Sequence, residues 1–403
     1  MRASFLLLIA LAICATASES NHPLPERLSA NEQSHPIDLG SPLHSTSTAA
    51  AAAAPSADCA ERPYCRAALL AANWIVSVAQ PAPNGVGIFW PPALIGQDAD
   101  APYNRTFDLY SGVAGVLVFL LEAHTAGGDA AHLEAAVAAG AYLASAADAV
   151  VFSLSSTGLY HGGVAGMAFA VSTLDAYTNG THPELARAYQ TFVDYLFLSA
   201  HEAPGGGQSL NALTGLRWGD AGVGLFLLQQ QSVLIDPNAR APLLKLAAAI
   251  GTYLISAGVR TRDGGLMWTS GFGSLEMPNY AEGTSGIGYF LGALANATGD
   301  RTFTDAALAA GHYLVSIANR TGGRCLIYHD NATQGLYYLS NCNGPPGTGR
   351  FFLLLHALTG DALWNELALE SGRAVQELSP FVGGGHGHES AGAFNFYVDF
   401  ASP

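Results

Sequence analysis

Apolar residues follow two alternating patterns along most of the chain. The first is a nearly continuous apolar run that begins at a loop with two glycines three residues apart, and it occurs six times. The second glycines are Gly115, Gly166, Gly222, Gly286, Gly347 and Gly392, and in the sixth copy Glu389 replaces the first glycine. Between the copies lie amphipathic segments with apolar residues at steps of three and four, as a helix with one buried face requires. Such self-similarity is typical of a repeat architecture.

Six pairs of one apolar and one amphipathic helix predict two concentric rings. The apolar helices would form the inner wall, and the amphipathic helices would face water. We therefore predict an all-α (α/α)6 toroid of six helical hairpins, folded as one domain over residues 58–403. An open superhelix is less favoured, because open arrays need polar end repeats and both terminal repeats here are hydrophobic.

The N-terminal segments predict secretion. Residues 1–17 resemble a signal peptide, with Arg2 before a short apolar run and a small-x-small sequence at Ala15–Ala17. Residues 18–57 are rich in Ala, Ser and Pro and predict a disordered linker. Later apolar stretches are interrupted before about 18 residues, so no membrane span is expected. Five Asn-x-Ser/Thr sequons predict N-glycosylation, at Asn104, Asn179, Asn296, Asn319 and Asn331.

The net charge limits the classes of binding partner, and the cysteine count predicts disulfides. The chain has 31 acidic and 16 basic residues and a net charge of −15, which excludes a basic nucleic-acid-binding face. Four cysteines follow the predicted signal peptide. In an oxidising compartment an even number predicts disulfides, here between sequence neighbours as Cys59–Cys65 and Cys325–Cys342.

The six glycine loops predict where a site would lie. Each loop starts an inner helix, so six helix N-termini with unpaired N–H groups would surround one mouth. Because the second glycine recurs in every copy, we attribute the glycines to packing and expect function in residues that differ between copies. The catalytic candidates are Asp108, His161, Asp220 and Glu282, and we expect them to converge with Cys342 and His388.

Three of these loops resemble motifs of the lanthionine synthetase C-like (lanthipeptide cyclase) family. Residues 341–347, NCNGPPG, are similar to W-C-x-G-x-P-G; residues 387–392, GHESAG, to C-H-G-x-A-G; and residues 281–286, AEGTSG, to A-H-G-x-x-G. The resemblance implies zinc-assisted addition of a peptide thiol to a dehydrated serine or threonine. It places Cys342 and His388 among the zinc ligands, with Gly387 in place of the second cysteine and His386 or His161 as a substitute. Glu282 stands at the family's acid–base histidine.

Two other functions stay open. Six-hairpin toroids are shared with glycosidases, and Asp108, Asp220, Glu282 and Glu389 could supply the paired carboxylates of glycoside hydrolysis. Alternatively, the mouth could bind a peptide or carbohydrate ligand without catalysis. A bridged sulfur cannot also be a zinc thiolate, and of these two roles for Cys342 we favour the disulfide with Cys325.

Overall fold

The structure is a computed structural model that describes residues 63–91, 106–153, 156–234, 236–269 and 275–378. Within these residues, the helices form two layers. The glycine-led inner helices are α2 (Val113–Gly127), α5 (Val164–Tyr177), α7 (Asp220–Val233), α9 (Thr284–Thr298) and α11 (Pro345–Thr359). The outer helices are α1 (Pro63–Ser77), α3 (Ala130–Ser145), α6 (Pro183–Ser199), α8 (Pro237–Ala257), α10 (Arg301–Ile317) and α12 (Ala362–Leu378), with a short α4 (Ala147–Ser153) after α3.

The two helix types differ in burial as their sequences require. Helix α2 is buried continuously from Val113 to Ala123, because neighbours cover it on every side. Helix α6 buries one stripe at steps of three and four, which consists of Leu185, Ala188, Phe192, Val193 and Leu196. Each inner helix packs most extensively on the outer helix that follows it, and the inner helices contact one another in chain order. The predicted all-α toroid is confirmed, and its sixth glycine-led segment lies outside the described residues.

The turns within the hairpins explain where the helices stop and start. Gly128, Gly299 and Gly360 end α2, α9 and α11 in the left-handed conformation, with φ of 72°, 69° and 70°. An aspartate follows each of these glycines, and the carboxylates of Asp129 and Asp300 accept hydrogen bonds from the first turn of the next helix.

β-Structure in the described residues is confined to short elements. Three antiparallel hairpins of two-residue strands pair β1 (Gln80–Pro81) with β2 (Ile88–Phe89), β3 (His201–Glu202) with β4 (Gln208–Ser209), and β5 (Val259–Arg260) with β6 (Leu266–Met267). Two isolated bridges complete this set. Each hairpin connects an outer helix to the next glycine loop.

Packing accounts for the second glycine of each loop that the structure describes. A Cβ on Gly286 would lie 1.9 Å from the carbonyl oxygen of Tyr280, and one on Gly347 would lie 2.2 Å from that of Asn341. The side chain of Tyr280 also reaches the next copy, where its Cβ would be 2.4 Å from a Cβ on Gly347. The loop therefore folds directly over the start of its own helix and against the neighbouring helix.

Candidate functional site

Consecutive glycine loops are joined edge to edge at one end of the inner ring. The residues two positions before the helix-capping glycines are Tyr110, His161, Arg217, Ala281 and Cys342, which we call the mouth ring. Backbone N–H groups donate from His161 to the Arg217 carbonyl (3.4 Å), from Arg217 to Ala281 (2.9 Å) and from Ala281 to Cys342 (2.9 Å). These bonds join four members of the mouth ring, from His161 to Cys342, into one continuous edge.

Asp108 joins the first two loops. One carboxylate oxygen accepts the Ser111 N–H at 2.7 Å, and the other accepts the Gly162 N–H at 2.8 Å. The side chain is completely buried. Asn279 stands at the same position in the fourth loop, where its oxygen accepts the Glu282 N–H at 2.9 Å. These contacts give Asp108 a role in holding the loops in place.

His161 is the centre of an aromatic stack with Tyr110 and Trp218. Its ring centroid lies 3.9 Å from that of Tyr110 and 4.7 Å from that of Trp218, with interplanar angles of 36° and 24°. The guanidinium carbon of Arg217 lies 5.2 Å from the Tyr110 ring centroid and 5.5 Å from that of Trp218. Three neighbouring loops thus contribute one cationic, aromatic surface.

Glu282 adds a carboxyl group to this surface. Its Oε1 lies 3.8 Å from Nη1 of Arg217, and its side chain is 17% exposed. Burial raises the pKa of Glu282 to about 6, although the Arg217 guanidinium and a hydrogen bond from the Trp218 side chain oppose this rise. A carboxyl group with such a pKa exchanges protons near neutral pH.

Asp220 contacts the segment that precedes its own glycine loop. Its carboxylate accepts the Ser209 hydroxyl at 2.6 Å and the Leu210 N–H at 3.1 Å, so it holds the end of β4 against the start of α7. In the next repeat Thr284 occupies the same position and accepts the Trp268 N–H at 3.3 Å, directly after β6. The repeated contact indicates a structural role.

The predicted Cys325–Cys342 disulfide is wrong, because both residues carry thiols. Cys325 is 1% exposed, and its N–H donates to the carbonyl of Glu370 on outer helix α12. Cys342 belongs to the mouth ring, where its carbonyl accepts the N–H groups of Tyr280 and Ala281. The two thiols therefore belong to different layers. Cys65 is disulfide-bonded, and its predicted partner Cys59 lies outside the described residues.

A zinc site is not formed by the described residues alone. Among them, no three His, Cys, Asp or Glu side chains are grouped so that they could hold a metal ion. Cys342 is one predicted ligand, and His161 is enclosed in the aromatic stack. His386 and His388 lie outside the described residues, as does Glu389.

Sequence reasoning missed two arginines. Arg217 matches none of the family motifs and is one basic residue within a loop. Its position in the mouth ring, level with His161 and Cys342, was the signal that could have found it. Arg350 carried a weaker signal, since it is a single charge within an apolar inner helix.

The comparisons with known proteins agree with this architecture. The family model for lanthionine synthetase C-like protein matches residues 104–380, which is more than half of the chain. The chain therefore belongs to the lanthionine synthetase C-like family.

Solved structures resemble the fold at low sequence identity. A structure of nisin cyclase has a TM-score of 0.51 and 14% identity, covering 84% of this chain and 87% of that chain. The Lin0763 protein from Listeria innocua has a TM-score of 0.41 and 14% identity, covering 83% and 95%. No curated protein sequence matches the chain. Within the described residues, no helix combines the length and hydropathy needed to cross a membrane.

Proposed function

We propose that this protein catalyses cyclase-type thiol addition, joining a peptide cysteine to a dehydrated serine or threonine. The observation that carries the proposal is Glu282, a carboxyl group with a pKa of about 6 beside Arg217 and Trp218. Family membership supports the reaction class. Glu282 also stands where the resembling motif has its acid–base histidine.

The reaction needs one proton to be moved and no oxidant. Ionised Glu282 accepts the proton of the substrate thiol, and the sulfur attacks the β-carbon of the dehydrated residue. The electron pair of the C=C bond moves to the α-carbon side. Neutral Glu282 then returns the proton to the α-carbon, which completes the thioether. A single group can perform both transfers because its pKa lies close to the working pH.

Glycoside hydrolysis is less well supported by the same contacts. It needs two carboxyl groups roughly 5–9.5 Å apart on either side of the scissile bond. Asp108 and Asp220 both accept backbone N–H groups inside the protein. Of the predicted carboxylates in the described part of the chain, this leaves Glu282 at the aromatic surface. Thiol addition, which one proton carrier can serve, fits this arrangement better.

A peptide with one cysteine and one dehydroalanine tests the proposal. Because cyclisation leaves the mass unchanged, the readout is the loss of thiol available to N-ethylmaleimide, followed by mass spectrometry. We expect Glu282→Gln to lower the rate at least about 100-fold, within the usual range for a lost acid–base group. Glu202→Gln, at an exposed site on β3, is the matched control and should retain the wild-type rate. An inactive wild-type protein, or a fully active Glu282→Gln variant, would contradict the proposal.

A further inference from the structure

Within the described residues, Arg217 has hydrogen-bonding capacity that is not used. Its Nε is buried and has no hydrogen-bond partner among these residues, and its side chain is 30% exposed. The 3.8 Å separation from Glu282 exceeds hydrogen-bond length. Basic residues are scarce in this chain, which has 16 among 403 residues and a net charge of −15. A cation held at the mouth of such an acidic protein is well placed to bind an anionic group.

Arg350 lies on the inner surface just below the mouth ring. It follows Gly347 by three residues on α11, and the equivalent positions on α7 and α9 are Leu225 and Tyr289. All three are half-buried, whereas the residues around them are buried, so this position faces the axis of the ring. Tyr280 packs on Gly347 and contacts the Tyr289 ring at 5.5 Å between centroids, which places Arg350 at the level of these tyrosines.

Cys342 and each arginine act electrostatically on a shared tyrosine hydroxyl group, which places the Cys342 thiol near both arginines. Its charge and that of Arg217 act on the Tyr110 hydroxyl, and its charge and that of Arg350 act on the Tyr160 hydroxyl. Burial is the main cause, and the Cys342 charge the second cause, of a Tyr110 pKa raised to about 12, and the Arg217 charge opposes this rise. The Tyr110 phenol therefore stays protonated at neutral pH. It therefore remains a hydrogen-bond donor.

We propose that Arg217 and Arg350 form a carboxylate-binding subsite beside an accessible Cys342 thiol, so that the substrate is an acidic peptide rather than a neutral one. Guanidinium groups bind carboxylates through paired N–H donors. The inference adds a substrate class to the proposed function and rests on it for the reaction, while the subsite itself rests on the two arginines.

Alkylation of Cys342 tests the subsite without any turnover. Iodoacetate and iodoacetamide form the same S–C bond and release iodide, and only iodoacetate carries a carboxylate. Because both reagents react with the same thiolate, their rate ratio does not depend on the pKa of that thiol. Peptide mapping measures the ratio at Cys342 in the intact protein and in a peptide spanning residues 338–347. We expect the ratio in the protein to exceed that in the peptide about 10-fold or more, as about 1.4 kcal/mol of added binding gives.

Variants identify the groups responsible. Arg217→Gln and Arg350→Gln should each lower the iodoacetate preference several-fold, while Arg262→Gln, at an exposed turn, should leave it unchanged. Labelling of Cys325, which is 1% exposed in the folded protein, reports any variant that unfolds. A ratio equal to that of the peptide, a ratio insensitive to both arginines, or no labelling of Cys342 by either reagent would overturn the proposal. Failure of the cyclase assay with the preference intact would reject the reaction and retain the subsite.

Discussion

Glu282, which is partly buried, and Asp220, which is fully buried, are carboxyl groups with similar pKa values and different surroundings. Burial raises the pKa of Asp220 to about 6 against the hydrogen bonds from Ser209, Leu210 and Asn211, and all of these partners belong to one loop. Glu282 instead lies beside Arg217 and Trp218, which belong to a different loop. A raised pKa therefore does not distinguish the two carboxyl groups, whereas their contacts do.

The pH dependence of thiol addition should report Glu282. Because the ionised form accepts the thiol proton, we expect kcat/KM to rise through an apparent pKa of about 6 and then level off. Arg217 lowers the pKa of Glu282, so Arg217→Gln should move this limb to higher pH. The measurement is kcat/KM for the wild type and for Arg217→Gln between pH 5 and 8. If kcat/KM rose through the same apparent pKa in the wild type and in Arg217→Gln, Arg217 would have no effect on the pKa of the titrating group.

Substitutions of Asp220 should change stability through the loop that it holds. Asp220→Ala leaves the Leu210 N–H and the Ser209 hydroxyl without their acceptor, and we expect a loss of about 3 kcal/mol in the free energy of unfolding. Asp220→Asn keeps one acceptor oxygen and should cost much less. Thermal or urea unfolding measures both, and Thr284→Ala is a matched variant at the equivalent position in the next repeat.

The sign of the pH effect follows from the raised pKa of Asp220. Its pKa of about 6 in the folded protein exceeds the ordinary aspartate pKa of 3.8. Its contribution to stability is therefore present below about pH 4 and is lost as the pH rises through 6. Relative to Asp220→Asn, wild type should therefore lose up to about 3 kcal/mol between pH 4 and 7. A difference between the two proteins that stays constant with pH would show that the buried carboxylate carries no such cost.

At the level of elements, the glycine loops are the feature that substitution should test most directly. Gly286→Ala would place a methyl group 1.9 Å from the Tyr280 carbonyl oxygen, and backbone must move to accept it. We expect a cost of at least about 2 kcal/mol, as for overpacked sites. Gly335→Ala, which has nothing within 4 Å of the added methyl, is the control and should change stability little. Denaturant unfolding of the two variants makes the comparison.

Helix positions were predictable where periodicity and turn signals coincide. The pattern beginning at Ala362 predicts the helix that α12 forms over Ala362–Leu378. Helix α8 differs, because the apolar pattern begins at Pro242, whereas the helix begins at Pro237 after the Asp236 cap. Two-residue strands show no detectable period, which is why the three hairpins were not predicted. The contacts of Asp220 could not be predicted for the same reason, because Ser209 lies in one of these hairpins and Leu210 directly follows it.

At the scale of the whole molecule, the Cys325 and Cys342 thiols lie in different layers, and their spacing in the sequence does not reveal this. Cys325 and Cys342 are close in the chain, so an oxidising compartment predicted a bridge between them. Cys325 instead packs against α12. Burial is the main cause, and the charge of Glu370 the second cause, of a pKa of its thiol raised to about 12. Cys342 remains in the mouth ring. The predicted signal peptide of residues 1–17 and the predicted linker of residues 18–57 lie outside the described residues. Secretion and glycosylation stay predictions.

This separation predicts a distinctive labelling pattern for the folded protein. Without reductant, a thiol reagent should label Cys342 in the folded state and both Cys342 and Cys325 after unfolding in urea. Cys65 should be labelled only after reduction, because it is disulfide-bonded. Peptide mapping by mass spectrometry distinguishes the sites. Recovery of a peptide pair linking residues 325 and 342 would restore the disulfide and remove the thiol from the mouth. Labelling of Cys325 in the folded state would instead show that α12 does not cover it.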